Sequence, residues 1–325
     1  MIGGEKAGAT ALAGARARAG IPRKRMLLIS NPRATGVSAG LTQAVLEGLD
    51  RRYRIDLVEP DVAGAATRLS RDAATDGYEI VTVLGGDGTM NCAANGLVGT
   101  ETPLACLPGG RTNVFARALG LPEDAIGAAE RLMPAAADPR TRRVDTGLVN
   151  GRHFVFASSV GFGATANARV DRRPRLKARL GEYYFAYETL ASVARGRSSP
   201  VRVTAGGRSV EGVTAIVQNC DPLTYFGRRP VRVCEHAGFT TGTLSLAVLK
   251  RASLGEVLVL PPRAILAGRP PVTSHPQVES LPRVASASVE ALAGERFPVE
   301  VDGDYIGELD HVEYGIAPRS LSILG

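Results

Sequence analysis

The sequence predicts an α/β domain on a parallel sheet, followed by a mainly antiparallel, sandwich-like β domain, with a cleft between the two. Three observations predict it. Between residues 26 and 107, short apolar runs alternate with helix-like stretches at the spacing of crossover units. Several of those runs lead into polar loops rich in glycine. Beyond about residue 140 the texture changes to short β-rich segments separated by turn residues. A chain of 325 residues also has the length of two ordinary domains.

In order, Met26-Leu27-Leu28-Ile29-Ser30 is an apolar run ending at Asn31-Pro32, as a buried parallel strand entering a loop would be. Leu41, Val45 and Leu49, spaced by four, predict a helix over 38–50. A second strand is expected at 53–58, a helix at 64–76, a third strand at 80–84, a helix at 90–98 and a fourth strand at 103–107. Past residue 140, segments 144–149 and 153–158 flank Asn150-Gly151, a strong hairpin-turn pair. A basic, helical stretch is expected at 163–195, then β segments near 200–205, 209–218, 243–249, 283–290, 296–302 and 304–316. The division reads as a basic tail at 1–24, a nucleotide-binding α/β domain at 25–140 and a β-rich substrate domain at 141–325, whose last strands are free to return to the first domain.

Charge and composition exclude several classes. The net charge of +7 is concentrated in the first 25 residues, which hold six basic residues against one acid; the rest has 33 basic and 31 acidic residues. Nucleic acid is therefore not the expected partner. The tail suits either contact with anionic lipid or a solvated extension. No apolar run reaches the roughly 18 residues of a membrane span, and no secretory signal pattern opens the chain. Cys92, Cys106, Cys220 and Cys234 are too scattered for a disulfide framework, and the four histidines form no zinc pattern. A cytoplasmic protein, peripheral at most at the inner membrane face, is the expectation.

The most informative stretch is Gly85-Gly86-Asp87-Gly88-Thr89, where a parallel strand gives way to a helix. Open α/β sheets bind ligands at that edge. Glycines let backbone N–H groups reach phosphate oxygens, and the helix N-terminus adds positive potential. An aspartate in such a loop would repel phosphate unless a cation, such as magnesium on a nucleotide, bridged the two. Asn31-Pro32-Arg33-Ala34-Thr35-Gly36 and Pro108-Gly109-Gly110-Arg111-Thr112-Asn113 supply two more loops of this kind after the first and fourth strands. A Walker A loop is excluded, because all four lysines lie outside these glycine loops. Near the other end, Glu300, Asp302 and Asp304 crowd three carboxylates into five residues. Such crowding raises one pKa or holds a metal, while Asp302-Gly303 is also a hairpin signal in itself.

Taken together, Asn-Pro-x-x-x-Gly at 31–36, Gly-Gly-Asp-Gly-Thr-Met-Asn at 85–91, Pro-Gly-Gly-x-Thr-Asn-Val-Phe-Ala-Arg at 108–117 and Asp-Gly-Asp at 302–304 resemble the diacylglycerol kinase catalytic family, which includes bacterial soluble lipid kinases and is related to sphingosine kinases. The resemblance implies an ATP-dependent lipid kinase. Its ATP site would draw on Asn31, Pro32, Arg33, Ala34, Thr35, Gly36, Gly85, Gly86, Asp87, Gly88, Thr89, Met90, Asn91, Gly110, Arg111 and Asn113. Asp87 would act through nucleotide-bound Mg2+, and Asp304 would accept the proton of the lipid hydroxyl. The lipid alcohol is the implied partner, and the oligomeric state is left open. The chain departs from the family pattern at Arg111 (usually Thr or Ser), at Asp304 (usually Glu) and at Thr240-Thr241-Gly242, where bacterial members often carry Asp-Asp-Gly and a structural magnesium. Two alternatives stand beside this reading. One is an NAD kinase-like enzyme, although no Asn-Glu pair of that family occurs in the chain; the other is a non-catalytic nucleotide or lipid binder. A run from Arg169 to Arg179 followed by Tyr183, Tyr184, Phe185 and Tyr187 suits either an anionic bilayer surface or a solvated helix face.

Overall fold

The computed structural model describes residues 23–62, 64–135, 140–161, 164, 200–266, 268–292 and 294–324. The basic and aromatic stretch at 169–187 lies outside the described residues, as does most of the tail.

The first half is a three-layer α/β arrangement. Strands β1 (Lys24–Ser30), β2 (Tyr53–Val58), β3 (Ile80–Gly85) and β4 (Leu104–Pro108) run parallel in the order β2-β1-β3-β4. Their apolar residues alternate between two cores. Leu27, Ile29, Val81, Val83, Leu104 and Cys106 face α2 (Ala65–Thr75) and α3 (Asp87–Leu97). Met26, Leu28, Ile80, Leu84, Ala105 and Leu107 face α1 (Ala39–Leu49) and α5 (Ala125–Ala135). Each fully buried Leu, Ile or Met contributes about 1.5–3 kcal/mol, so a continuous apolar strand buried on both faces is the stable outcome. The short α4 (Val114–Ala118) links β4 to α5. Neither α4 nor α5 is expected from the sequence, since α4 is five residues long and α5 is Ala-rich with Pro134 inside it.

The second half is a sandwich. One sheet runs β14-β13-β10-β7-β16-β17, with every neighbouring pair antiparallel. These strands span Val278–Val284 (β14), Leu244–Leu249 (β13), Thr214–Gln218 (β10), Ala157–Gly161 (β7), Phe297–Val301 (β16) and Asp304–Leu309 (β17). The other layer extends the first domain's own sheet through β18 (His311–Leu324), β15 (Ser286–Ala291), β8 (Val201–Ala205) and β9 (Arg208–Gly212), with β5 (Thr141–Val149) joined to β18 and β6 (Arg152–Phe154) to β5. Val160, Val217, Leu246 and Val299 from one layer meet Val203, Val289 and Val312 from the other. The fourteen-residue β18 pairs with β15 at its start and with β5 along most of its length. It ends beside β4, Ile323 against Leu104 and in parallel, so one sheet spans both halves.

Four segments expected as single strands divide where the chain passes from one sheet to the other. Residues 153–158 become β6 and β7, 209–218 become β9 and β10, 283–290 become the end of β14 and β15, and 304–316 become β17 and the start of β18. The first division has a visible cause: the amides of Val155, Phe156 and Ala157 donate to the carboxylate of Asp302. Also unanticipated are the small hairpin of β11 (Thr224–Phe226) and β12 (Arg229–Val231) and helix α6 (Leu254–Ile265). Among the described residues no helix is long and apolar enough to cross a membrane.

Candidate active site

The three glycine loops meet at the carboxyl ends of β1, β3 and β4, and they meet backbone to backbone. Gly36 N–H donates to Gly109 O at 2.9 Å, and Gly109 N–H donates to Gly85 O at 2.9 Å. A Cβ on Gly36 would stand 2.9 Å from Gly109 O, and one on Gly110 would stand 2.7 Å from Gly86 Cα and 2.8 Å from Asn113 Oδ1. The glycines thus serve close loop packing, a demand separate from the approach of a phosphate. Gly109, absent from the sequence-derived nucleotide set, is the centre of that contact. It lies within the Pro-Gly-Gly motif, which was the available signal.

Side-chain amides fix the loops further. Asn31 Nδ2 donates to Thr89 Oγ1 at 2.8 Å, and Asn31 Oδ1 accepts from Arg33 N at 3.0 Å, tying the first loop to the start of α3. Asn113, with φ of +49°, accepts from Gly110 N at 2.8 Å and donates to Gly110 O at 2.9 Å. Pro32, Arg33, Thr35, Gly36 and Arg111 are exposed at this edge; Ala34, Gly86, Gly88 and Thr89 are half-buried, and Gly85 is buried.

Two residues grouped with the nucleotide set on sequence are buried behind the loop. Met90 packs in the core. Asn91 donates to Asp302 Oδ2 at 2.5 Å and to His153 O at 3.3 Å. Asn91 therefore joins α3 to the second half of the chain rather than presenting its side chain to the open face.

Asp87 is half-buried at the first turn of α3. Its oxygens accept from Val114 N at 3.0 Å and Phe115 N at 3.1 Å, the first two amides of α4. Burial raises its pKa, the two amides oppose the rise, and the nearby charge of Asp304 adds to it. A carboxylate has about four lone-pair sites, so roughly two remain after these bonds. Asp87→Asn would turn one acceptor into an N–H facing an N–H. The expected cost is about 1–3 kcal/mol, seen as a lower melting temperature. A parent-like melting temperature would show that the α4 contact carries no weight.

The three carboxylates near residue 302 have separate fates. Val301 pairs with Asp304 across the turn, and Asp302 (φ +49°) and Gly303 (φ +88°) occupy its two central positions. Positive φ at both is the requirement of a type I′ two-residue hairpin loop. Glu300 accepts from Ser159 Oγ at 2.6 Å and from Gly303 N at 2.5 Å. Asp302 is buried, and besides Asn91 it accepts from Val155 N at 2.7 Å, Phe156 N at 2.9 Å and Ala157 N at 3.0 Å. Asp304 alone is exposed. A Cβ placed on Gly88 would lie 3.5 Å from Asp304 Oδ2, which sets this carboxylate over the N-terminal turn of α3. Its charge also raises the pKa of Cys92, second to burial as a cause.

Burial pushes the Asp302 carboxyl up to about 7, against the pull of its three amides. The folded chain then holds this proton more tightly than the unfolded chain, where aspartate titrates near ~3.9. The associated stabilisation is complete below about pH 4 and is lost as pH rises through about 7. The melting temperature should fall between pH 5 and pH 8, and Asp302→Asn should flatten that fall; a parallel profile in the variant would assign the pH dependence to other groups.

Among the described residues no three His, Cys, Asp or Glu side chains gather as a metal cage. Asp87 sits within the first turn of α3 and Asp304 over it, so both carboxylates stand at one helix N-terminus.

Comparison with known proteins agrees with this geometry. Residues 25–149 match the diacylglycerol kinase catalytic domain, and residues 157–325 match the YegS C-terminal NAD kinase beta sandwich-like domain. The chain is 26% identical over 291 residues to a diacylglycerol kinase of Bacillus subtilis (strain 168), covering 88% of this chain and 91% of that one. It is 26% identical over 293 residues to one of Staphylococcus carnosus (strain TM300), covering 88% and 90%. A solved structure of a diacylglycerol kinase from Bacillus anthracis str. Sterne superposes with a TM-score of 0.69 at 21% identity, over 94% of this chain and 98% of that one, a likeness of fold. The two domain matches follow one another along nearly the whole of residues 25–325, and the chain belongs to the diacylglycerol kinase catalytic-domain family.

Proposed function

We propose that the protein is an ATP-dependent lipid kinase that transfers the γ-phosphoryl group to a hydroxyl of diacylglycerol or a similar lipid alcohol. The observation that carries the reading is the Asp304 carboxylate standing over Gly88, at the mouth of the three glycine loops. A proton acceptor is thereby set beside the place built to hold phosphate.

The ATP phosphates would lie along the backbone amides of residues 86–89, where fixed N–H dipoles stabilise negative charge without reorganising. Asp304 would take the proton of the lipid hydroxyl as its oxygen bonds to the γ-phosphorus. The bond from that phosphorus to the β–γ bridging oxygen breaks, and ADP leaves with the electron pair. Asp87, with roughly two lone-pair sites left, would hold the nucleotide's magnesium, which would neutralise charge on the phosphate oxygens. Arg111, exposed next to Gly110, would add a guanidinium suited to phosphate in place of the usual hydroxyl.

The test is phosphorylated product from purified protein, ATP and magnesium, given a panel of lipid alcohols together with NAD. A phosphorylated lipid is the expected result. Phosphorylated NAD in its place would move the protein to the NAD kinase reading, and ATP binding with no product would make it a binder.

A further inference from the structure

Half of the exposed large hydrophobic side chains among the described residues fall within nine positions of α6 and its end: Leu258 (69% exposed), Val259 (41%) and Leu266 (37%). The helix has two apolar faces. Leu260 and Ala264, one turn apart, pack against the core formed by Cys234, Ala247 and Leu249. Leu258, Val259, Pro262 and Leu266 follow the spacing of the outer face. Between that face and the β11–β12 hairpin lies a groove of about 560 Å³, lined among others by Phe226, Pro262, Ile265 and Leu266, with Arg228 and Arg229 also on its wall.

The charged residues on the groove wall are arginines. Arg228, Arg229 and Arg269 are exposed. The acid within α6, Glu256, is engaged in the capping box at its own N-terminus, and Asp221 is paired with Arg232 at 2.9 Å. The hairpin is also tethered to the candidate active site. Arg117 of α4 donates to Gly227 O at 3.1 Å and lies 3.6 Å over the Tyr225 ring, and the first amides of α4 are those bound by Asp87.

We propose that the outer face of α6, with the β11–β12 hairpin, docks on a bilayer carrying anionic lipid. Exposed leucines and valine beside arginines are the pairing that settles at the headgroup boundary, where apolar side chains enter and guanidinium groups meet phosphate. Docking here would bring the tethered hairpin, and through Arg117 the glycine loops, toward the layer that holds a lipid acceptor. The purpose of docking rests on the lipid kinase reading; binding itself does not require turnover.

The test is co-sedimentation of the full chain with phosphatidylcholine vesicles, pure or mixed in equal parts with phosphatidylglycerol. Leu258→Ser/Val259→Ser and Arg228→Ser/Arg229→Ser are compared with the parent, each variant first checked for an unchanged melting temperature. The parent should prefer the mixed vesicles, and each double variant should lose roughly 10–30-fold in partitioning, with turnover of a dispersed short-chain diacylglycerol unchanged. Parent-like binding by both variants, or indifference of the parent to phosphatidylglycerol, would overturn the proposal. So would a parent dimer that Leu258→Ser/Val259→Ser converts to monomer while vesicle binding stays intact, since the face would then belong to a second copy. Vesicle binding without any lipid turnover would sink the kinase reading and leave the docking surface standing.

Discussion

Asp304→Asn is expected to lower turnover by roughly 10²–10⁴-fold, the usual loss when a general base is removed, with ATP affinity little changed. The substitution preserves size and removes basicity. The bonds from Glu300 and Asp302 that shape the turn are left in place. Asp304→Glu retains a carboxylate and restores the usual family residue, so it should remain active. Steady-state rates for both variants, with a separate ATP titration, make the comparison. Parent-level turnover in Asp304→Asn would reduce Asp304 to a turn residue.

Asp302→Ala is expected to be the most destabilising single change at the site. It strips the acceptor from the amides of Val155, Phe156 and Ala157 and from Asn91 Nδ2. Each buried donor left unpaired costs about 1–3 kcal/mol, so the net loss should be roughly 3–6 kcal/mol after water enters the vacated space. Activity should fall as well, because the Gly303–Asp304 turn loses its anchor to α3. Denaturant midpoints of parent, Asp302→Ala and Asp302→Asn give the measure. A midpoint for Asp302→Ala close to the parent's would mean that these bonds are replaced without cost.

Much of the first half was legible in the sequence, because strands buried on both faces are written as apolar runs. Tyr53–Val58 begins and ends where the pattern placed it. The glycine loops were legible as loops, since Gly, Pro and Asn mark turns by their own conformational demands. The packing of Gly36 on Gly109 and of Gly110 on Gly86 was not, because it joins residues from separate crossover units. The division of labour among Glu300, Asp302 and Asp304 was equally hidden. Spacing shows three acids close together, but only the fold brings the amides of residues 155–157 to one of them and the start of α3 to another. The strand breaks near 155, 213, 285 and 310 escaped for the same reason, as a passage between sheets leaves the alternation of residues almost intact.

The path of β18 bears on how the molecule is made and how it comes apart. Leu104 pairs with Ile323, so the edge of the parallel sheet waits through the synthesis of more than two hundred further residues before it is covered. Pairings so distant in sequence slow folding and leave an open strand edge exposed in the meantime. A fragment holding only residues 25–149 would carry every glycine loop and yet keep β4 and β5 without their shared neighbour. Such a fragment should aggregate rather than fold, and the intact chain should melt in one cooperative transition instead of two.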